Sequence, residues 1–293
     1  MKRAEQRAAH IFILPWLIGF VGLTLGPIIA SILLSFTDYD GLRGLQFIGV
    51  ENYRTMFVGD PTVWKALGNT FYMVLGVPLS IMVSLLLALA LNKDIRGVRF
   101  YRTFFYFPSI VPAVANSILW LWILQPQFGL LNGALSLIGI NGPMWLGDPA
   151  WSKPALILMN LWATGPNMVI YLAGLKNIPT EFYDAAKVDG ARGWATFRHI
   201  TLPLLTPTIF YTAVMGLISS LLSFTQAFIM TGGGPVESTY FYMLHLFNNA
   251  FAFFKMGYAS ALAWFLFVII AAFTYFQFKM SKYWVHYETG KGV

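Results

Sequence analysis

Six stretches of this chain, 11–36, 67–91, 104–124, 155–175, 207–230 and 257–278, contain no Asp, Glu, Lys or Arg, and the shortest is 21 residues long. A helix crosses the roughly 30 Å hydrocarbon core of a bilayer with about 20 apolar residues. A single charge at its centre costs about 2.5–3.5 kcal/mol on an insertion scale. Inside lipid every backbone N–H and C=O must be satisfied by the chain itself, which leaves helices and closed barrels as the only spanning structures. The pattern therefore predicts an all-α polytopic membrane protein with six transmembrane helices. With 57% hydrophobic and 11% charged residues and a mean hydropathy of +0.64, the chain is too apolar for a soluble domain.

The formal charge of +7 is distributed by loop. With the N-terminus inside, fourteen basic residues fall on that side: Lys2, Arg3 and Arg7; Lys93, Arg96, Arg99 and Arg102; Lys176, Lys187, Arg192 and Arg198; Lys279, Lys282 and Lys291. Only Arg43, Arg54, Lys65, Lys153 and Lys255 fall on the other. The positive-inside rule then places both termini and the loop between spans four and five in the cytoplasm. The same distribution argues against a nucleic-acid partner, which needs basic and aromatic residues on one soluble face. The basic opening and apolar run begin like a secretion signal. Twenty-six uncharged residues exceed a signal's apolar core, however, and no small-x-small cleavage site follows, so a retained first span is expected. Cysteine is absent, which excludes disulfides and thiolate metal or redox centres.

The longest polar interruption of the C-terminal half is EFYDAAKVDGARGWATFRHITLP, 181–203. Thr180, after Pro179, is placed to N-cap a helix with Glu181 and Asp184 in its first turn. Gly190 is expected to end that helix, and a second short helix over 192–199 to close at Pro203. Each piece is about eight residues, or roughly 12 Å, too short to stand alone, so a partner protein is expected. Asp184-Ala185-Ala186, Asp189-Gly190-Ala191 and Ile200-x-Leu202-Pro203 resemble the EAA loop of bacterial ABC importer permeases. The resemblance implies a coupling helix seated in a cleft of a cytoplasmic ATPase, with Asp184, Ala185, Ala186, Asp189, Gly190 and Pro203 as the ATPase-coupling residues. Asp184 stands where the family usually has Glu; it keeps the charge on a side chain one methylene shorter.

Other segments resemble the sugar-importing members of that family. They are SFTDYDG, GVENYRTMF and DPTVWKALGNTF after the first span, and QFGLLNGAL in the turn-rich loop 125–153, where a short helix is expected around Leu130–Leu137. TGGGP closes span five and GYASA opens span six. The resemblance implies the first type of two homologous permeases, a single permease domain over 1–293 with its coupling loop at 177–203, in the bacterial inner membrane and in contact with lipid. Implied partners are a second homologous permease subunit, two ATPase subunits that bind ATP and Mg, and an extracytoplasmic solute-binding protein. The implied function is import of a sugar or oligosaccharide by alternating access. The chain itself has no G-x-x-x-x-G-K-[ST] phosphate loop, so it is expected to be a transport subunit and not an enzyme. His10, His199, His245 and His286 lie far apart, and no metal or cofactor of its own is expected. An ABC permease for glycerol phosphate or another small polar solute is the alternative, although a phosphate calls for Arg or Lys near the route and the spans contain neither.

An ion-coupled carrier would place ionisable groups at membrane depth, and these spans have no charged residue. Their neutral polar residues recur at helical spacing. Thr212, Ser219, Ser223 and Gln226 share a face of span five with Met215 and Met230. Asn160, Thr164, Asn167 and Tyr171 do so in span four, where Gly165-Pro166 is expected to distort the helix. Asn116 and Trp120 offer a similar face in span three. Amides and hydroxyls suit sugar hydroxyls, and aromatic rings suit the apolar faces of a pyranose. The candidate substrate route is thus Asn167, Ser219, Ser223, Gln226, Asn160, Asn116, Trp120 and Tyr171. For any single residue, a bond to the helix's own backbone or to a neighbouring helix is the competing role.

Overall fold

The computed structural model describes residues 12–42, 44–93 and 95–286, so Lys2, Arg3, Arg7, His10, Arg43 and Lys291 lie outside the described residues. In chain order the main helices are α1 (Phe12–Leu34), α2 (Pro61–Leu91), α3 (Val98–Ile110), α4 (Ala113–Ile123), α5 (Leu130–Leu137), α6 (Pro149–Trp162), α7 (Gly165–Asn177), α8 (Thr180–Val188), α9 (Trp194–Leu221), α10 (Tyr242–Phe247) and α11 (Met256–Ser281). Helices α1, α2, α9 and α11 are each long and apolar enough to cross a membrane; α3 with α4 and α6 with α7 form two bent pairs that bring the number to six. Among the described residues the extended backbone amounts to one antiparallel bridge, Thr37 to Phe47. The backbone divides into two compact units, Met1–Val63 with His245–Ile269, and Trp64–Leu244 with Ile270–Val293.

Prolines decide where the spans bend. The third span is not the straight helix 104–124 that its apolar run predicts: α3 and α4 meet at 101°. Pro108 and Pro112, four apart, each lack an N–H and leave their turns without a helical bond. In the fourth span the helix breaks at Ala163 and Thr164 and resumes at Gly165 with a 48° bend. A Cβ on Gly165 would lie 2.5 Å from the Phe105 carbonyl oxygen and 2.7 Å from the Tyr106 Cα, so only glycine admits this approach of α7 to α3. The fifth span differs most from expectation. The segment 192–199 is no separate helix, and Pro203 closes nothing: α9 starts at Trp194 and runs through Pro203 to Leu221. Widened turns over Phe197–Thr201 relieve the clash of the Pro203 ring with the carbonyl four residues back. The helix then stops at Leu221, nine residues short of the expected end at 230, and the chain coils again from Thr225, with widened turns over Ala227–Thr231.

In the larger unit, α7 lies along the second half of α2 and against α9. Their apolar faces meet around Ala88, Leu91, Met168, Tyr171, Leu172 and Leu205. A second buried cluster gathers Met73, Trp120, Leu124, Leu156, Met159 and Phe241. In the smaller unit Trp264 Nε1 donates to Ser31 Oγ at 2.9 Å, tying α11 to α1. Asp60 is its polar centre. One carboxylate oxygen accepts from the Thr62 amide at 3.0 Å, capping α2 and starting it six residues earlier than the apolar run alone predicts. The other accepts from Tyr258 Oη at 2.9 Å and lies 3.0 Å from His245 Nε2.

Burial holds the His245 imidazole below its ordinary value, more than the nearby Asp60 charge raises it. For Asp60, burial pushes upward, but the Tyr258 hydroxyl, the His245 ring and the Thr62 turn together outweigh it and hold the carboxyl low. A neutral His245 with its proton on Nε2 donates to an ionised Asp60. Both groups then contribute stability that is complete at neutral pH and is lost on acidification, as protons bind the unfolded chain more readily than the folded one. Thermal unfolding in detergent should therefore give a flat midpoint above pH of about 6.5 and a falling one below it. His245→Gln should remove most of the first part of that fall; an unchanged profile would contradict the assignment. Separately, Gly165→Ala forces backbone against backbone and should lower stability by about 1–3 kcal/mol. A midpoint equal to that of the parent chain would show that the approach has slack.

Candidate functional site

Four interrupted spans converge on one cavity of about 450 Å³ within the larger unit. Helix α2 contributes Gly76 and Ser80 just past its break at Leu75, and α4 contributes its first residue, Ala113. The broken pair α6 and α7 contributes Asn160, Ala163, Thr164 and Asn167. The fifth span contributes Ser219 and Ser220 from α9, then Leu222 and Ser223 from the uncoiled stretch 222–224, and Gln226 from the helical turn that resumes at Thr225. Non-helical backbone at membrane depth is tolerated where it lines a polar cavity, which is how these breaks are placed. The wall carries no charged side chain and one aromatic ring, Phe224.

Of the eight candidate route residues, the lining includes Asn160, Asn167, Ser219, Ser223 and Gln226. Gln226 Nε2 donates to Asn160 Oδ1 at 2.8 Å, bridging the fourth and fifth spans. The other three lie elsewhere. Tyr171 is fully buried, and its hydroxyl pairs with Thr212 Oγ1, so it fastens α7 to α9. Trp120 is buried in the core cluster, edge-on to Trp162. Asn116 is half-buried on α4 and is not part of the cavity wall. Sequence reasoning passed over Gly76 and Ser80. Their spacing of four puts both on one face of α2, a signal available without coordinates.

The second candidate site is the loop that holds α8. Thr180 begins the helix as its first residue and Pro179 occupies the cap, so no side chain caps it, and Glu181 alone is acidic in the first turn. Asp184 sits one turn on, its Oδ1 accepting from Lys187 Nζ at 2.8 Å in an exposed pair. Such a surface pair contributes little to stability. Gly190 adopts φ +78°, and the helix closes by two bonds, Gly190 N to Lys187 O at 3.1 Å and Ala191 N to Ala186 O at 2.8 Å. That paired closure requires a left-handed residue after the cap, and glycine supplies it without strain. Ala186 is buried, whereas Ala185 and Asp189 are exposed and Pro203 is half-buried within α9. Three large apolar side chains face outward here, Phe182 at 45%, Val188 at 88% and Trp194 at 69% exposure. A short helix with an exposed carboxylate therefore stands beside an exposed apolar patch.

The sequence profile of the family described as "binding-protein-dependent transport system inner membrane component" matches residues 61–282. The chain is 44% identical to the probable ABC transporter permease protein YesP of Bacillus subtilis (strain 168), over 98% of this chain and 94% of that one. It is 34% identical to the lactose transport system permease protein LacF of Rhizobium radiobacter, over 96% of each. Among solved structures, a bacterial alginate ABC transporter in complex with alginate pentasaccharide-bound periplasmic protein superposes with a TM-score of 0.85 at 25% identity, over 99% of this chain and 98% of that one. Broken apolar spans around an uncharged cavity, a coupling-type loop and a match across most of the length lead to one placement: the chain belongs to the binding-protein-dependent transport system inner membrane components.

Proposed function

We propose that this chain is the permease subunit of an ATP-driven importer that moves a sugar or oligosaccharide across the bacterial inner membrane. The observation that carries the reading is the uncharged, amide- and hydroxyl-lined cavity at the level where the spans are interrupted. Hydroxyl-bearing solutes need donors and acceptors without net charge, and Asn160, Asn167, Ser219, Ser223 and Gln226 offer both. The names of LacF and of the alginate transporter support carbohydrate as the solute class. The resting Gln226 to Asn160 bond gives way to sugar hydroxyls, so the amides exchange one set of partners for another. Coupling belongs to the α8 loop, which sits between spans four and five and so faces the opposite side from the loops after spans one and five. With both termini and α8 cytoplasmic, Asp184, Ala185, Asp189 and the exposed Phe182, Val188 and Trp194 meet an ATPase subunit that binds ATP and Mg. Gly190 and Pro203 set the geometry of the loop. A second homologous permease, a second ATPase subunit and an extracytoplasmic solute-binding protein complete the transporter.

The test is uptake by the reconstituted complex, with its native partners, of radiolabelled lactose, maltose, trehalose and raffinose. ATP-dependent accumulation of at least one is expected; accumulation of none would remove the carbohydrate reading. Gln226→Leu should raise the half-saturating sugar concentration several-fold, since one net hydrogen bond is worth about 0.5–1.5 kcal/mol. Unchanged kinetics for Gln226→Leu and for Ser219→Ala would move the route elsewhere. Gly190→Val strains a left-handed position by about 1 kcal/mol or more and misdirects the chain entering α9. Copurification of the ATPase, ATP turnover and uptake should be followed together for Gly190→Val and Asp184→Ala. The chain should still insert, while ATPase is lost or turns over without sugar movement; normal uptake in Gly190→Val would rule out a coupling role.

A further inference from the structure

A second cavity, of about 320 Å³, lies within the smaller unit, apart from the cavity of the interrupted spans. Ligand pockets are mostly lined by apolar side chains. This one is not: eight of its nine lining residues carry a hydrogen-bonding side chain, the ninth is Gly59, and none is aliphatic. Its floor is built from Asn52, Asn249, Tyr258 and Asp60, three of them buried. The donors of that floor are already used within the protein. Asn52 Nδ2 gives to the carbonyls of Ser35 and Thr37, both at 2.9 Å, and Asn249 Nδ2 gives to the His245 carbonyl at 2.9 Å. Tyr258 Oη gives to Asp60. What these four groups have left is accepting capacity, from two amide oxygens, a phenolic oxygen and a carboxylate. The rim adds the exposed Lys255 ammonium and Asp38 carboxylate and the half-buried Tyr39 ring.

The geometry points to this cleft as a second carbohydrate subsite, taking a neutral pyranose whose hydroxyls donate to the acceptor floor and whose apolar face lies on Tyr39. Asp60 is already engaged by the Thr62 amide, the Tyr258 hydroxyl and the His245 ring, so the open charges are Asp38 against Lys255, a balance that suits a neutral ligand. A ring with several hydroxyls uses the floor fully, because each hydroxyl donates once and can still accept from Lys255. The loops that form most of the cleft follow spans one and five, and the distribution of basic residues assigns those loops to the extracytoplasmic side. That is the side from which a binding protein delivers its sugar. The inference rests on the carbohydrate-import reading and extends it to a second sugar site on the extracytoplasmic loops.

The test uses the assembled complex in lipid nanodiscs and, as probe, whichever sugar of the four is taken up best. Should none be taken up, the import reading itself fails, an outcome separate from those that follow. Saturation-transfer NMR with that sugar should show, in the Gln226→Leu complex, a second saturable component beside the weakened one of the inner cavity, arising from the outer cleft. Adding Asp38→Ala and Lys255→Ala should weaken that second component by about fivefold for each hydrogen bond lost. Tyr39→Ala, which removes the ring and leaves the backbone, should do the same. A second component unaltered by both changes would overturn the proposal. So would an equal loss of affinity for the sugar-free binding protein, because the cleft would then be gripping a side chain of that protein.

Discussion

A backbone amide that leaves its helix inside a bilayer has no water to turn to, and each group left unsatisfied costs several kcal/mol. The rest of this structure depends on how that constraint is met. The second, third, fourth and fifth spans are all interrupted, near Leu75, Pro112, Ala163 and Leu222, and residues at or beside each break line one cavity. Interruptions scattered through the lipid-facing surface would each carry the full penalty. Gathered together, they share a polar lining, and the disruption that makes a spanning helix unstable becomes the means of opening a route through it.

The loop proposed for coupling meets a related demand. Helix α8 has nine residues, no side-chain cap and an exposed apolar fringe, so little within the loop stabilises it alone. Its end is nonetheless sharply defined by the paired closure around Gly190. From there three non-helical residues, 191–193, with Gly193 again at positive φ, lead to α9, whose first turns are widened and whose far end lines the cavity. Between α8 and the cavity residues Ser219 and Ser220 thus stand one short non-helical joint, 189–193, and one continuous helix.

How much of this was legible beforehand follows from which forces are local. Absence of charge marks every span, because the cost of burying a charge applies residue by residue; α5 was legible for the same local reason, a short apolar run between turn formers. Gly165-Pro166 marked its own bend. The 101° turn between α3 and α4 went unread although Pro108 and Pro112 were in plain sight, because proline in a membrane helix is compatible with either a gentle kink or a break, and the neighbours decide. Pro203 misled in the opposite direction: widened turns before it let α9 continue. Within the polar stripes, periodicity placed Asn160, Asn167, Ser219, Ser223 and Gln226 on faces but could not separate them from Tyr171 or Trp120. A face of a helix at that spacing is wide enough to meet both a cavity and a neighbouring helix, and only the packing of α7 on α9 assigns Tyr171 to the second.

The bond between Gln226 and Asn160 bears on a problem distinct from recognition, which is leakage. A pathway wide enough for a sugar is wide enough for a file of water, and a file of water carries protons. Carboxamides do not titrate in the physiological range, so the bridge offers no site at which a proton can rest and be passed on. It also occupies the partners that would otherwise anchor such a file across the fourth and fifth spans. An ion arriving there exchanges its hydration shell for a pair already satisfied, a poor trade, whereas a polyol brings replacements for both ends. On the proposed route, the same two side chains preserve the membrane's electrochemical gradient between transport events while leaving the way open to the solute.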